Sequence, residues 1–307
     1  MSEPTVSVVI PAYNCAGLLP QAVQSARAQT YRDFELIVVD DGSTDETGQV
    51  IEGLAAEWDA LRPIRAEHRG LAAARNRAIA EMRGQWVALL DADDLWRPDK
   101  LQKCMAFLAA NPELSIVYSP MDPVLLDGTP IHGHNKPCHA GRLTERLFHS
   151  IFIHDPAAVF HKRVIESCGG FDESLPVGVG HEFWLRVSRK FEFGLIDEPL
   201  ALRRWHPASL TRSNRARSRG TKARMLERFY FERGGKEMLA RRPAMRRLAK
   251  VNFGAGKAML RSGRFREAAD HFAKAIRYRP TAALAWPMWL AAKAASLLRR
   301  SGADHGE

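Results

Sequence analysis

Acidic residues directly follow two apolar segments of the sequence. Asp40-Asp41-Gly42-Ser43 comes after one segment, and Asp91-Ala92-Asp93-Asp94 comes after another. Asp-x-Asp on a tight turn offers hard oxygen ligands that suit Mg²⁺ or Mn²⁺, and these ions also hold diphosphate oxygens. Since Asp, Gly and Ser are common turn residues, the first segment alone would indicate only a turn before a helix. The two acidic segments together favour a metal-assisted site for a diphosphate.

The elements around these acids are predicted to alternate between strands and helices. Continuous apolar runs predict buried strands at 6–10, 35–39 and 86–90, and a further strand near 63–66. Helical spacing of apolar residues predicts helices over 18–29, 46–57 and 70–82. This alternation is typical of βαβ units, so the predicted fold class is α/β, with a mostly parallel sheet flanked by helices.

The predicted topology brings the polar residues to one edge of the sheet. Ligands of open α/β sheets bind at the carboxyl ends of the strands, where Tyr13-Asn14, Asp40-Asp41 and Asp91–Asp94 all lie. No GxGxxG or GxxxxGK[ST] motif occurs at these strand ends, which excludes the glycine-rich phosphate loops of dinucleotide-binding and P-loop folds. A diphosphate in this crevice would therefore need a metal ion as its counter-charge.

Composition separates an acidic part from a basic part. The 307-residue chain has 45 Lys and Arg residues against 35 Asp and Glu residues, for a formal net charge of +10. Residues 1–202 hold 19 basic and 28 acidic residues, whereas residues 203–307 hold 26 basic and 7 acidic residues. This division excludes a uniformly basic nucleic-acid binder, and no reading module for nucleic acid is visible, so nucleic acid is not an expected partner.

Other features of the sequence indicate a cytoplasmic protein. The four cysteines show no CxxC spacing, and the first residues lack the basic region of a secretory signal. The longest apolar stretch, at 281–298, is interrupted by Pro287 and Lys293. We therefore expect neither a disulfide framework nor a membrane-spanning helix.

Seven blocks of the sequence, in order, resemble the family 2 glycosyltransferases, which have the GT-A fold. They are VSVVIPAYN, QTYRDFELIVVDDGSTDET, RGLAAARNRAI, WVALLDADDLWRPDKL, GGFDES, HEFWLRV and EPLALRRWHPASLT. Any one block would be a weak signal, but their shared order is specific. The resemblance implies a GT-A glycosyltransferase domain over residues 1–212 and leaves 213–307 as a basic helical extension.

The resemblance also implies roles for particular residues. Pro11, Ala12 and Tyr13 would line the nucleobase pocket, Asp41 would hydrogen-bond the base, and Arg75 would lie near the nucleotide. Asp91 would meet the ribose, and Asp93 would bind Mg²⁺ or Mn²⁺, which His206 would approach from the C-terminal side. Asp94 would face the acceptor. The implied reaction moves a sugar from a nucleotide-diphosphate sugar to an acceptor hydroxyl, with inversion at the anomeric carbon.

The chain departs from the family at the general base. Members usually carry Glu-Asp where this chain has Val179-Gly180, and that Asp removes the proton of the acceptor hydroxyl. Glu182 is the nearest carboxylate and the tentative substitute, although its spacing equally indicates an ion pair with Arg186 one helical turn later. Asp155 is a second candidate. The missing base also leaves open a non-catalytic nucleotide-sugar-binding protein or a helical scaffold.

The basic extension is predicted to be helical after a polar connector at 211–224. Helical spacing indicates helices at 225–239 and 244–260, and residues 253–280 resemble a tetratricopeptide-like helical hairpin. The basic residues indicate either an anionic membrane surface or a solvated helical bundle. The sequence as a whole favours a cytoplasmic transferase, peripheral at the inner face of a membrane. Its acceptor would be a saccharide or a lipid-linked saccharide in surface polysaccharide or glycolipid assembly.

Overall fold

The computed structural model of the chain describes residues 3–132, 137–206 and 215–303. The chain divides into two compact units, residues 1–206 and residues 207–307. The predicted junction between residues 212 and 213 lies outside the described residues.

The first unit alternates strands and helices over its amino-terminal half. Its strands are β1 (Val6–Ala12), β2 (Phe34–Asp41), β3 (Leu61–Ala66), β4 (Trp86–Leu89), β5 (Leu95–Trp96), β6 (Ile116–Tyr118), β7 (Met121–Leu125), β8 (Ala158–His161), β9 (Gly194–Leu195) and β10 (Ala201–Trp205). Its helices are α1 (Leu19–Arg27), α2 (Thr47–Ala56), α3 (Leu71–Ala80), α4 (Lys100–Ala110), α5 (Thr144–His149), α6 (Arg163–Cys168) and α7 (Val179–Val187), and a 3₁₀ turn at Asp155–Ala157 precedes β8.

The main sheet has seven strands in the order β3-β2-β1-β4-β8-β6-β9. The pairs β3–β2, β2–β1, β1–β4 and β6–β9 are parallel, whereas β8 runs antiparallel to both of its neighbours. Strand β1 is buried along its whole length because helices cover both faces of the sheet, which explains its uninterrupted apolar sequence. The predicted α/β class with a mostly parallel sheet is confirmed.

Strand register aligns the carboxyl ends of the parallel strands. Ala12 at the end of β1 pairs with Asp40 on β2, and Asp41 pairs with Ala66 at the end of β3. On the other side of β1, Val9 pairs with Leu89, and the acidic turn begins two residues after Leu89. The two acidic segments thus leave the sheet at the same edge.

A second, three-stranded sheet returns the chain to that edge. Its order is β5-β10-β7, with β10 antiparallel to β5 and parallel to β7. Leu202 of β10 pairs with Leu95, directly after the acidic turn, so the residues that follow on β10 run back beside Asp93 and Asp94. Sequence patterns around β4 alone did not indicate this approach.

The second unit is helical. Its described helices are α8 (Arg215–Glu232), α9 (Gly235–Met238), α10 (Arg241–Arg261), α11 (Phe265–Tyr278) and α12 (Ala285–Ala303). The predicted polar connector at 211–224 is wrong for residues 215–224, which form the first turns of α8. Helices α10 and α11 form a pair at the position of the predicted hairpin, whereas the tetratricopeptide resemblance itself stays a prediction. No helix in the described part of the chain is both long and apolar enough to cross a membrane.

Polar and apolar contacts join the helices of this second unit. The Glu227 carboxylate of α8 accepts hydrogen bonds from Asn252 Nδ2 on α10 and Lys274 Nζ on α11, each at 2.8 Å. Gly256 lets α10 approach α11 closely, because a Cβ at that position would lie 2.7 Å from a ring carbon of Phe272. The buried Phe272 belongs to the local hydrophobic core of this unit.

Candidate active site

Three carboxylates crowd together after β4. One ligand oxygen from each of Asp91, Asp93 and Asp94 lies within 4.8 Å of the others. The turn is closed by a hydrogen bond from the Asp94 backbone N–H to the Asp91 carbonyl oxygen, at 3.0 Å. Carboxylates at this spacing repel one another, and a divalent cation among them would relieve that repulsion.

The pKa shifts of Asp91 and Asp94 agree with a cation site on the acidic turn. Burial raises the pKa of the Asp91 carboxyl to about 6, against the opposing effect of Arg75 and with a further increase from Asp93. Burial, and after it repulsion from Asp93 and Asp91, raises the pKa of Asp94 well above its ordinary value. Three carboxylates that repel one another, with an imidazole nearby, offer ligands that suit Mg²⁺ or Mn²⁺.

Strand β10 and the residue after it bring a guanidinium and an imidazole to the acidic turn. His206 Nε2 lies 2.9 Å from Asp93 Oδ2, beside the oxygens that the sequence assigned to the metal. The buried Arg204 donates from Nε to the Asp93 carbonyl oxygen at 2.6 Å, and its backbone N–H donates to Asp94 Oδ1 at 3.0 Å. The Arg204 guanidinium also donates to the Leu18 carbonyl oxygen, so it ties the turn to the start of α1.

Arg75 lies beneath the acidic turn with its side chain 0% exposed. Its NH2 donates to Asp91 Oδ1 at 2.7 Å, and its NH1 donates to Asp155 Oδ2 at 2.6 Å. Burial lowers the pKa of the guanidinium, but Asp155 and Asp91 outweigh burial and the net pKa is raised. Arg75 is therefore a cation that joins two carboxylates, whereas the sequence predicted only that it lies near a nucleotide.

A second cluster lies where β1, β2 and β3 end. The Asp41 carboxylate is buried and accepts backbone N–H groups of Arg69 and Gly70, each at 2.9 Å. His68 Nδ1 lies 2.9 Å from Asp41 Oδ2, and the His68 ring stacks on Tyr13 with 4.0 Å between centroids. Tyr13 is 43% exposed, so one aromatic surface next to a buried carboxylate is open to a planar ligand.

Hydrogen bonds between loops fix the position of Tyr13. Asn14 adopts a left-handed backbone with φ of 47°, and its Oδ1 accepts the Thr44 backbone N–H at 2.8 Å. Its own backbone N–H donates to Ser43 Oγ at 3.1 Å. Pro11 and Ala12 lie in β1 with buried side chains, so among the predicted nucleobase contacts of this loop Tyr13 is the exposed one.

Glu182 on α7 lies in a buried ion pair, apart from the carboxylate group of the acidic turn. The side chain of Glu182 is 6% exposed, and its two oxygens are bound by Arg186 Nε at 2.9 Å and Arg186 NH2 at 3.0 Å. The same guanidinium donates to the Gly169 and Gly170 carbonyl oxygens, so this ion pair holds the loop after α6. The i+4 pair is confirmed, although it is buried. The role of Glu182 as a base stays a prediction.

The sequence model described as "Glycosyl transferase family 2" matches residues 7–169, more than half of the chain. This chain belongs to glycosyl transferase family 2. The match covers β2, β3, β4 and all but the first residue of β1, together with the acidic turn and Arg75, and the predicted family is therefore confirmed.

Known proteins similar to this chain agree with the family assignment. A chondroitin synthase of Escherichia coli is 31% identical over 196 residues, which are 64% of this chain and 28% of that protein. The chain spans 26% and 19% of the length of two further curated relatives.

Solved structures extend the likeness to the fold. The crystal structure of S. aureus TarS 1-349 in complex with UDP-GlcNAc has a TM-score of 0.61 at 17% identity and covers 89% of both chains. A mannosyltransferase from Pyrobaculum calidifontis in complex with GDP-Man and Mn²⁺ has a TM-score of 0.58 at 20% identity, covering 97% of this chain and 87% of that one. At these identities the likeness shows the GT-A fold.

Sequence reasoning missed two residues of this site. His68, which stacks on Tyr13, was not singled out, although it lies one residue before the matched RGLAAARNRAI block. Arg204 was part of a matched block but was given no role, and only the strand pairing of β10 brings it to the acidic turn. His68 follows strand β3, and Arg204 lies in strand β10. The residues that these two side chains contact are distant from them in sequence.

Proposed function

We propose that the chain transfers a sugar from a nucleotide-diphosphate sugar to an acceptor hydroxyl, with inversion at the anomeric carbon. The observation that carries this proposal is the arrangement at one edge of the sheet. The exposed Tyr13–His68 stack lies at the ends of β1 and β3, and the three carboxylates follow β4 at the same edge. Membership of glycosyl transferase family 2 supports the same reaction class.

Each cluster takes one part of the donor. The base would stack on Tyr13, with Asp41 as its hydrogen-bond acceptor and Asp91 near the ribose. Asp93 and His206 would hold Mg²⁺ or Mn²⁺, which would neutralise charge on the diphosphate, and Asp94 would face the acceptor. Arg204 keeps the turn that carries these ligands in place through its bonds to backbone oxygens. The structurally similar mannosyltransferase from Pyrobaculum calidifontis is in complex with GDP-Man and Mn²⁺, which supports Mn²⁺ as a candidate ion.

We also propose that the acceptor is a saccharide or a lipid-linked saccharide, in the assembly of a polysaccharide or glycolipid. The similarity to a chondroitin synthase supports a growing saccharide. This chain spans 28% of the length of that relative.

An anionic membrane surface is the proposed location of the acceptor. Helix α12 presents three large apolar side chains to solvent: Trp286 is 46% exposed, Leu290 58% and Leu297 59%. Residues 203–307 hold 26 basic and 7 acidic residues, and each Lys or Arg near an anionic surface contributes about 1 kcal/mol to binding. An apolar stripe on a basic unit is typical of a helix that lies in the membrane interface.

Sedimentation with liposomes tests the membrane proposal. Vesicles of phosphatidylcholine with phosphatidylglycerol should bind the protein at low salt and release it as salt rises, since screening weakens the charge attraction. Trp286→Ser with Leu290→Ser should weaken binding, whereas Met238→Ser, an exposed apolar residue of α9 in the same unit, should not. Absence of binding to these vesicles would remove the membrane proposal.

Release of the nucleoside diphosphate tests the transfer itself. The wild-type chain should release it from at least one of UDP-GlcNAc, UDP-glucose, UDP-glucuronate and GDP-mannose in the presence of Mn²⁺ and saccharide acceptors. Asp93→Ala should abolish Mn²⁺-dependent nucleotide binding measured by calorimetry, because Asp93 belongs to the carboxylate group and also lies 2.9 Å from His206 Nε2. Metal dependence that survives Asp93→Ala would refute the metal assignment.

The alternative function is a nucleotide-sugar-binding protein without turnover, or a helical scaffold working through the second unit. The observation that favours it is the absence of a carboxylate at positions 179 and 180. Nucleotide binding without turnover under any donor and acceptor of the panel would establish the binding protein. Partner capture that needs only residues of the second unit would favour the scaffold.

A further inference from the structure

Asp155 fills the space in which a side chain at position 180 would lie. An ideal Cβ built on Gly180 would stand 2.1 Å from Asp155 Oδ1 and 2.2 Å from Asp155 Oδ2. Real Cβ atoms do not approach other heavy atoms this closely, so position 180 has to be glycine while the Asp155 carboxylate is there. The chain lacks a carboxylate on α7 at position 180 but places one from the 3₁₀ turn before β8 against the same helix face.

The surroundings of Asp155 connect it to the acidic turn. One oxygen accepts a hydrogen bond from Trp184 Nε1 at 2.7 Å, and Trp184 is one helical turn after Gly180 on α7. The other oxygen lies 2.6 Å from Arg75 NH1, and Arg75 NH2 lies 2.7 Å from Asp91. A single guanidinium therefore separates Asp155 from the proposed donor site.

Access to solvent distinguishes Asp155 from Glu182. The side chain of Asp155 is 15% exposed, and each of its oxygens has one donor among the contacts given above. A carboxylate oxygen has two lone-pair sites, so each retains capacity for a further donor. Glu182 is 6% exposed, and one guanidinium occupies both of its oxygens. Of the two carboxylates, Asp155 has the better geometry for receiving a proton from a bound acceptor.

We propose that Asp155 is the general base of the transfer reaction and replaces the carboxylate missing at Gly180. The proposal rests on the transferase function proposed above. The acceptor O–H bond breaks, and its proton passes to an Asp155 oxygen. The electron pair of that bond stays on the acceptor oxygen, which forms the new bond to the anomeric carbon. The bond from the anomeric carbon to the diphosphate breaks, and the nucleoside diphosphate leaves with its electron pair.

Asp155→Asn tests proton acceptance, because the amide keeps the shape and an oxygen for Arg75 but is not a base. The proposal predicts that kcat falls about 10²–10⁴-fold. Donor affinity, measured by calorimetry with UDP-GlcNAc and the other donors of the panel, should stay within about threefold, or roughly 0.7 kcal/mol. Glu166→Gln, an exposed carboxylate of α6, is the matched control and should retain wild-type kcat. A kcat for Asp155→Asn close to that of wild type overturns the proposal.

Moving the carboxylate from position 155 to position 180 tests whether Asp155 acts as a base or only positions Arg75. Asp155→Ala opens the space beside position 180, and adding Gly180→Asp returns a carboxylate there from α7. The double variant should exceed Asp155→Ala in kcat at least about tenfold, whereas Gly180→Ala added to Asp155→Ala should recover nothing. A double variant no faster than Asp155→Ala overturns the proposal. A wild-type chain with no turnover for any donor refutes the transferase function and the base together, whereas turnover without this recovery refutes the base alone.

Discussion

Replacing Arg75 with methionine should strongly destabilise the first unit. The side chain is 0% exposed, and its guanidinium lies 2.7 Å from Asp91 and 2.6 Å from Asp155. At charge separations of roughly 4 Å and an effective dielectric constant of about 20, each attraction is worth ~4 kcal/mol. Desolvation of the guanidinium opposes these attractions, and removal of one partner from a buried ion pair costs about 3–5 kcal/mol in net terms. Arg75→Met should therefore lower the free energy of unfolding by about 3–5 kcal/mol, since Asp91 and Asp155 lose the buried cation that they share.

Denaturant unfolding at pH 7 in EDTA, followed by tryptophan fluorescence, measures this loss without interference from divalent metal. Arg77→Met is the matched control on the same helix, α3. Arg77 is 60% exposed and pairs with Glu81 at 2.6 Å, so its removal should cost roughly 0.5 kcal/mol or less. The Phe171 ring lies 5.2 Å from the Arg75 guanidinium and offers a methionine an apolar neighbour, which limits the packing loss. If the two variants lose the same stability, the reasoning about a shared buried cation is refuted.

Three further predictions concern residues near the site. Lys100 has no hydrogen-bond partner for Nζ among the described residues. Burial lowers the pKa of its ammonium group, so the charged form of Lys100 destabilises the folded state. Lys100→Met should gain on the order of 1–2 kcal/mol at pH 7. That gain should shrink as pH rises through the lowered pKa toward about 10.5, where the unfolded chain also loses the proton; a gain that is constant from pH 7 to 10 in denaturant unfolding would refute it. Gly42→Ala should cost about 1–3 kcal/mol in thermal unfolding and weaken UDP binding, because φ is +68° and the new Cβ would lie 2.6 Å from the His68 backbone nitrogen. Arg204→Met should weaken Mn²⁺ binding about 10–100-fold in calorimetry, since the turn that carries the ligands loses its clamp; unchanged affinity would contradict that role.

The parallel half of the sheet could be predicted because its signal is local. The run Val6–Ala12 is buried along its length. The acids at the end of β2 and after β4 lie at the sheet edge where the alternation of strands and helices places them. Helix boundaries were less accurate. Helix α8 begins at Arg215, in a polar segment that the sequence indicated as a connector, because contacts such as those of Glu227 with α10 and α11 stabilise a helix whose own sequence favours it weakly.

Some residues of the candidate site could likewise be predicted from local sequence, whereas others could not. Asp91, Asp93 and Asp94 were identified from spacing because all three lie on one turn. His68 and Arg204 were not assigned roles, since their partners come from strands far away in sequence. Pairing between distant strands depends on the register of the folded sheet, which short sequence patterns do not encode.

The sequence by itself determined the family, the α/β class and the acidic turn, because each is written in ordered blocks and in local apolar patterns. Only the tertiary structure decided that Arg75 engages both Asp91 and Asp155. Glu182 lies close in sequence to the glycine that replaces an acid, yet its oxygens are held by Arg186. Asp155, 25 residues before Gly180 in the sequence numbering, occupies the space beside that glycine. The reason is physical: a carboxylate's environment is set by what packs against it, and packing joins residues that the sequence keeps apart.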